Sequence, residues 1–280
     1  MRAFSIYRVL FNRIAIAILF VVIMPVVAGA WVFKEWKSGV VWPEPPKVTA
    51  GENGSAPSDA IILFDGTNVD QWENAEKWLS EDGVMIAAET AIKTRRKFGS
   101  CQLHIEFTSP LETEGLSGQQ RGNSGIFFGG FKYEVQVLDS WDNQTYHDGQ
   151  CGAIYKQAPP IVNPCRKPGE WQSYDIIYDA PEFGAYGETI KPAYLTVLLN
   201  GILIHNHVEL KGNTFYNRPP SYLPHETKTS IGLQYHNDPV KFRNIWVREN
   251  TAPHEPQLPQ QDDFRWRQGD FGEPMEEENE

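Results

Sequence analysis

Glu134, Gln136 and Asp139 stand in one short run, Tyr133-Glu134-Val135-Gln136-Val137-Leu138-Asp139. Side chains alternate between faces in an extended chain, so Glu134 and Gln136 share one face and Tyr133, Val135 and Val137 the other. A carboxyl beside an amide on an aromatic-rich strand suits a groove where a positioned acid or base works on a polar ligand. An outer strand facing solvent carries the same residues for no such reason. Asp139, five positions after Glu134, rejoins that face only across a bulge. A second run, Gly232-Leu233-Gln234-Tyr235-His236-Asn237-Asp238-Pro239, puts Gln234 and His236 on one face. Imidazole takes and gives protons near neutrality, although a strand-end turn with a satisfied histidine is the plainer reading. In the third run, Arg121-Gly122-Asn123-Ser124-Gly125, two glycines let backbone approach a ligand and Asn123 both donates and accepts; a simple turn competes. His205 and His207, two apart, would share a face and suit either a metal or, more plainly, an exposed strand.

These residues need strands to hold them, and the composition supplies strands. The chain has 280 residues, 41% of them hydrophobic and 12% aromatic, which excludes a wholly disordered polypeptide. Its formal net charge of −11 is a poor match to a phosphate backbone, so nucleic acid is disfavoured as a partner. Short alternating segments at 103–108, 124–128, 133–138, 171–178, 193–199, 202–208, 230–235 and 240–248 read as strands. Asn200-Gly201 lies between two apolar runs, the signal for a two-residue type I′ hairpin. No long helical period and no internal repeat appears. The expected fold is all-β, an antiparallel sandwich of jelly-roll type over residues 60–250.

Arg2, Arg8 and Arg13 precede an uncharged apolar run at 14–33 that passes through Ala28-Gly29-Ala30. That pattern predicts a signal peptide over residues 1–30, or an uncleaved membrane anchor, and either exports the rest to the periplasm or the cell exterior. Residues 31–59 are Pro- and Gly-rich and read as a linker, and 251–280 as an acidic solvated tail. Cys151 and Cys165 flank a Pro-rich loop and are a disulfide candidate, whereas Cys101 sits in a strand pattern as a buried thiol. With no CxxC and no ligand spacing, structural zinc is disfavoured. No cofactor is required by the sequence, and a divalent cation stays allowed.

Taken in order, the three runs resemble the 3-keto-disaccharide hydrolase family, also described as 3-keto-glucoside 1,2-lyase/3-keto-2-hydroxyglucal hydratase. The resemblance runs from Ile62 to Val247. It includes Leu63-Phe64-Asp65-Gly66-Thr67-Asn68 with Trp72, Gly122-Asn123-Ser124-Gly125-Ile126-Phe127-Phe128, the Glu134 run, Gly152-Ala153-Ile154-Tyr155, Leu198-Leu199-Asn200-Gly201, the His236 run, and Lys241-Phe242-Arg243-Asn244-Ile245. Residues 180–191 and 211–228 depart from the family pattern, near loops that would shape specificity. The resemblance implies a concanavalin-like sandwich acting on glycosides whose C3 hydroxyl has been oxidised to a ketone by a separate sugar oxidoreductase. The ketone acidifies the C2 proton; its removal lets the C1 aglycone leave, and water then adds to the glucal. On that reading His236 and Glu134 are base and acid in either order, with Asp139 orienting or sharing the role. Arg121, Asn123, Gln136, Gln234 and Arg243 would bind hydroxyls or the enolate, and Tyr155 would stack on or donate to the sugar. Two alternatives stand beside it. Glu134-x-Gln136-x-x-Asp139 resembles the acidic strand of laminarinase-type retaining glycosidases. A carbohydrate-binding module needs only aromatics and amides in a groove.

Overall fold

The computed structural model describes residues 38–78 and 82–250. The expected export segment and acidic tail lie outside the described residues. Among the described residues, no helix is long and apolar enough to cross a membrane. Pro46–Ala252 form one compact unit; residues 38–45 fall in a second and are largely exposed.

In chain order the strands are β1 (Ile61–Phe64), β2 (Trp72–Glu73), β3 (Met85–Ile86), β4 (Ile92–Thr94), β5 (Cys101–Thr108), β6 (Ser124–Phe128) and β7 (Tyr133–Val137). They continue as β8 (Gln172–Asp179), β9 (Glu182–Phe183), β10 (Thr189–Lys191), β11 (Tyr194–Leu199), β12 (Ile202–Glu209), β13 (Gly232–Leu233) and β14 (Lys241–Glu249). The larger sheet runs β1-β14-β5-β8-β11-β12, with β3 also on β14, and the smaller runs β2-β4-β13-β6-β7. Every pairing is antiparallel. The β9–β10 ribbon is built from the insertion at 180–191.

Alternation makes the core. Leu103, Ile105 and Phe107 of β5 and Tyr174, Ile176 and Tyr178 of β8 face inward from the large sheet, and Ile126, Phe128, Val135, Val137 and Leu233 meet them from the small one. Rings bridge the layers: Phe128 stacks on Tyr178 at 4.7 Å between centroids. Burying apolar surface at about 25 cal/mol per Å² drives this association. Trp72 Nε1 donates to Leu63 O at 2.8 Å, tying the first strand of the large sheet to the edge of the small one.

The sandwich follows the sequence reading, and the differences have local causes. Asn200 and Gly201 take φ of +54° and +76° and close the β11–β12 hairpin. The strand expected at 230–235 shortens to Gly232–Leu233, because the carbonyl of Gln234 accepts the Ser124 hydroxyl at 2.6 Å. His205 and His207 do not share a face: a register shift in the β11–β12 pairing and a φ of +49° at His207 separate them. His205 is buried and donates to Gly152 O, while His207 lies outside, stacked on Tyr194. Part of the segment read as linker is docked on the large sheet, where Gly54 O accepts from Asn244 Nδ2 and Trp246 Nε1, both at 2.9 Å.

Candidate active site

Directly opposed residues of an antiparallel ladder point to the same face. On the small sheet Glu134 opposes Phe127, Gln136 opposes Gly125, and Phe127 in turn opposes Gly232. Gln234 N donates to Gly125 O at 3.0 Å, which sets Gln234 beside Gly125, and His236 follows in the bend at 236–238. Beyond β7, the Val135–Ile154 bridge and a 3.1 Å bond from Tyr155 N to Glu134 O put Tyr155 next to Glu134. The outer face is therefore a grid. One row reads Tyr155, Glu134, Phe127, Gly232, and the next Gln136, Gly125, Gln234, with Asn123 and His236 beyond the ends of their strands.

Glu134 sits between two aromatic rings and is only 6% exposed. Its carboxyl has no hydrogen bond or ion pair among the described residues, and burial pushes its pKa up to about 8. Charge removed from water without a partner favours the neutral acid. The carboxyl leans over Gly125, where a methyl group would lie 2.6 Å from Oε1 and 2.9 Å from the Phe127 ring. Both atoms are side-chain ends that can move aside, so Gly125→Ala should fold but displace the carboxyl. We expect turnover to fall by about 10²-fold, the scale set by misplacing a reacting group by an ångström, with circular dichroism unchanged.

The carboxyl stands above Gly125, and the exposed imidazole follows in the bend after the strand, in electrostatic reach of Asp238. Asp238, two residues after His236, accepts Asn123 N at 2.8 Å and fixes the turn. Gln234 is half-buried beside Gly125.

Gln136 lies on the expected face, and its amide nitrogen bonds to Asn123 while its Oε1 is buried without a partner among the described residues. Gln136 Nε2 donates to Gln119 Oε1 and Asn123 Oδ1, and Asn123 Nδ2 donates to Gln119 O. At 1% exposure Gln136 forms part of the floor. Arg121 and Asp139 are likewise taken: they form a buried ion pair, and Asp139 also accepts Trp141 N at 2.9 Å. Asp139 thereby clamps its own loop and presents no free carboxylate to the groove. Removing one partner of a buried pair costs about 3–5 kcal/mol. Asp139→Asn should accordingly lower the melting temperature markedly, while the protein that remains folded keeps turnover within a few-fold of wild type.

Two expectations are corrected. Arg243 lies on β14, in the opposite sheet, where its Nε donates to Glu106 Oε2 at 2.6 Å and its guanidinium covers Trp171 at 4.0 Å. It cannot reach the groove. Cys151 and Cys165 are free buried thiols rather than a disulfide; they lie close enough to hydrogen-bond, and Cys151 Sγ is 3.1 Å from the Tyr174 hydroxyl. Cys101 is buried as expected, and its thiol is pushed up to about 12 by burial.

Other participants lie outside the three runs or between their polar positions. Tyr146 places its hydroxyl 2.6 Å from that of Tyr155, and Lys156 Nζ stands 3.4 Å over the Tyr146 ring. Gln119 anchors the amide frame through Thr145 Oγ1 and Gly149 O. Gly125 and Phe127 carry a sequence signal, since they alternate on β6 as Glu134 and Gln136 do on β7. Tyr146 and Lys156 lie in loops without period. Thr214, within the departing segment 211–228, accepts Glu134 N at its Oγ1 at 3.3 Å. No group of three or more metal-ligating side chains occurs among the described residues.

Residues 59–248 match the model of the 3-keto-alpha-glucoside-1,2-lyase-like domain. A Parabacteroides distasonis ATCC 8503 protein, provisionally described as a glycosyl hydrolase, is 42% identical, with a TM-score of 0.71 over 79% of this chain and 96% of that one. A second structure from the same organism, with the same provisional description, shares the fold at 17% identity and a TM-score of 0.53, covering 73% of this chain and all of the other. No curated protein matches the chain.

Proposed function

Because the chain belongs to the 3-keto-alpha-glucoside-1,2-lyase-like family, we propose that it cleaves 3-keto-glycosides by elimination and rehydration, with Glu134 as acid and His236 as base. His236 takes the C2 proton, and the electron pair passes into the C3 carbonyl as an enolate. The enolate collapses, the C1–O bond breaks, and Glu134 gives its proton to the departing aglycone oxygen. Water then adds across the glucal, its oxygen to C1 and a proton to C2, and both residues return to their starting states.

The buried, unpartnered Glu134 carboxyl carries this reading. With a pKa near 8 it holds its proton at neutrality, as an acid for a glycosidic oxygen must. A binding module has no need of such a group. A retaining glycosidase needs a second carboxylate about 5–5.5 Å away, and Asp139 is already engaged by Arg121. The substrate must come from an enzyme that oxidises a sugar C3 hydroxyl to a ketone, and the apolar N-terminal run supports a reaction outside the cytoplasm.

The test is NMR of the full chain in D2O with 3-keto-trehalose and a 3-keto-glucoside, beside the unoxidised sugars, with chelator and with added divalent metal. Aglycone release with deuterium at C2, for the keto sugars alone, is the expected result. Release from unoxidised sugars would point to a glycosidase, and tight binding without turnover to a binding module.

A further inference from the structure

On that reading, negative charge develops at the C3 oxygen once the C2 proton leaves, and it needs a stabilising donor. Of the groups first expected there, four are engaged elsewhere, and Gln234 keeps a half-buried amide beside Gly125. Arg243 is on the other sheet, Arg121 is held by Asp139, and the Gln136 and Asn123 amides bond to one another and to Gln119.

A different device stands beside Glu134. Tyr155 is ladder-paired to it. The Tyr155 and Tyr146 hydroxyls are 2.6 Å apart, so one proton lies between them and the other is free to point away. Lys156 Nζ sits 3.4 Å from the Tyr146 ring centroid and 5.7 Å from that of Tyr155. It has no carboxylate partner among the described residues. Reaching that place requires a φ of +60° at Lys156, a left-handed backbone that a side-chain-bearing residue adopts at a cost. A 2.8 Å bond from Lys156 N to Asp148 O holds it there. The charge is thus set against the faces of the two linked phenols rather than released to solvent.

We propose that the Tyr155–Tyr146 hydroxyl pair, polarised by the Lys156 ammonium, receives the enolate oxygen of the 3-keto substrate. Tyr155 is then a catalytic residue that donates to the oxygen, and Lys156 a positioning residue that acts through the phenols. The arrangement senses only charge formed during reaction, so it should govern kcat rather than ground-state binding.

The experiment compares Lys156→Gln, Lys156→Met, Lys156→Arg and Tyr155→Phe in the full chain, following C2 deuterium exchange and aglycone release from a 3-keto-glucoside. Lys156→Gln, Lys156→Met and Tyr155→Phe should each lower the exchange rate about 10²-fold, the usual loss for one oxyanion donor. KM and the binding of the unoxidised glucoside should stay unchanged, and Lys156→Arg should recover most of the rate because it keeps the charge. A packing role would show no such rescue. Lys156→Gln within three-fold of wild type, or a loss expressed in KM alone, would overturn the assignment while leaving the reaction in place. Absence of wild-type turnover would overturn the reaction and this assignment together.

Discussion

Glu134→Gln is expected to lower aglycone release from 3-keto-glycosides by about 10³-fold or more, within the range general acid catalysis supplies, and to make the protein more stable at alkaline pH. Both effects have one origin. The carboxyl is buried between Tyr155 and Phe127 without a partner, and its pKa is raised to about 8 by that burial. The folded state therefore holds a proton that the unfolded chain, with an ordinary glutamate, releases above about pH 4.3. The sign follows from linkage. A group whose pKa is raised on folding leaves stability intact below the unfolded value and withdraws it as pH climbs towards the folded one. Glutamine never ionises, so the variant and wild type should melt together near pH 4 and diverge by pH 8.5. The gain should read as roughly 2–4 °C for each kcal/mol relieved in a domain of this size. Calorimetry at the two pH values checks it. A variant no more stable than wild type at pH 8.5 would mean that the carboxylate has a partner or solvent access in the folded protein. In the wild-type rate profile the same group should appear as an alkaline limb near pH 8.

The periodic parts of the fold are legible in the sequence and the tertiary parts are not. Alternation in Ser124–Phe128 and Tyr133–Val137 fixes which side chains share a face, so the pattern by itself places Glu134 and Gln136 together. Asn200-Gly201 signals its hairpin by chemistry alone. What a strand pattern cannot give is the sheet to which a strand belongs. Arg243 follows His236 by seven residues, yet β14 pairs with β5 while β13 pairs with β6, so the two side chains lie on opposite sides of the sandwich. Competition between polar partners is equally hidden. Asp139 looks as available as Glu134 in the sequence; Arg121, eighteen residues earlier, decides otherwise once folding brings them together. Tyr146 and Lys156 meet Tyr155 only because a turn around His147–Gly149 and a left-handed residue bend the loop back.

His236→Ala should lower turnover by about 10²–10⁴-fold, the contribution of a positioned proton acceptor, and leave the melting temperature within a degree or two. The imidazole is exposed and no hydrogen bond ties it to the described residues, and substitutions at such positions usually change stability by less than about 0.5 kcal/mol. Its loss can be distinguished from that of Glu134 by separating the two halves of the elimination. Without the base no enolate forms, so C2 deuterium exchange and aglycone release should fall together in His236→Ala. Without the acid the enolate still forms and returns, so Glu134→Gln should keep exchange while losing release. The opposite pattern would exchange the two roles, with Glu134 ionising to take the C2 proton and His236 protonating the aglycone. Loss of both signals in both variants would mean that departure of the aglycone is concerted with proton removal. The acid over Gly125 and the base at His236 would then act in a single step.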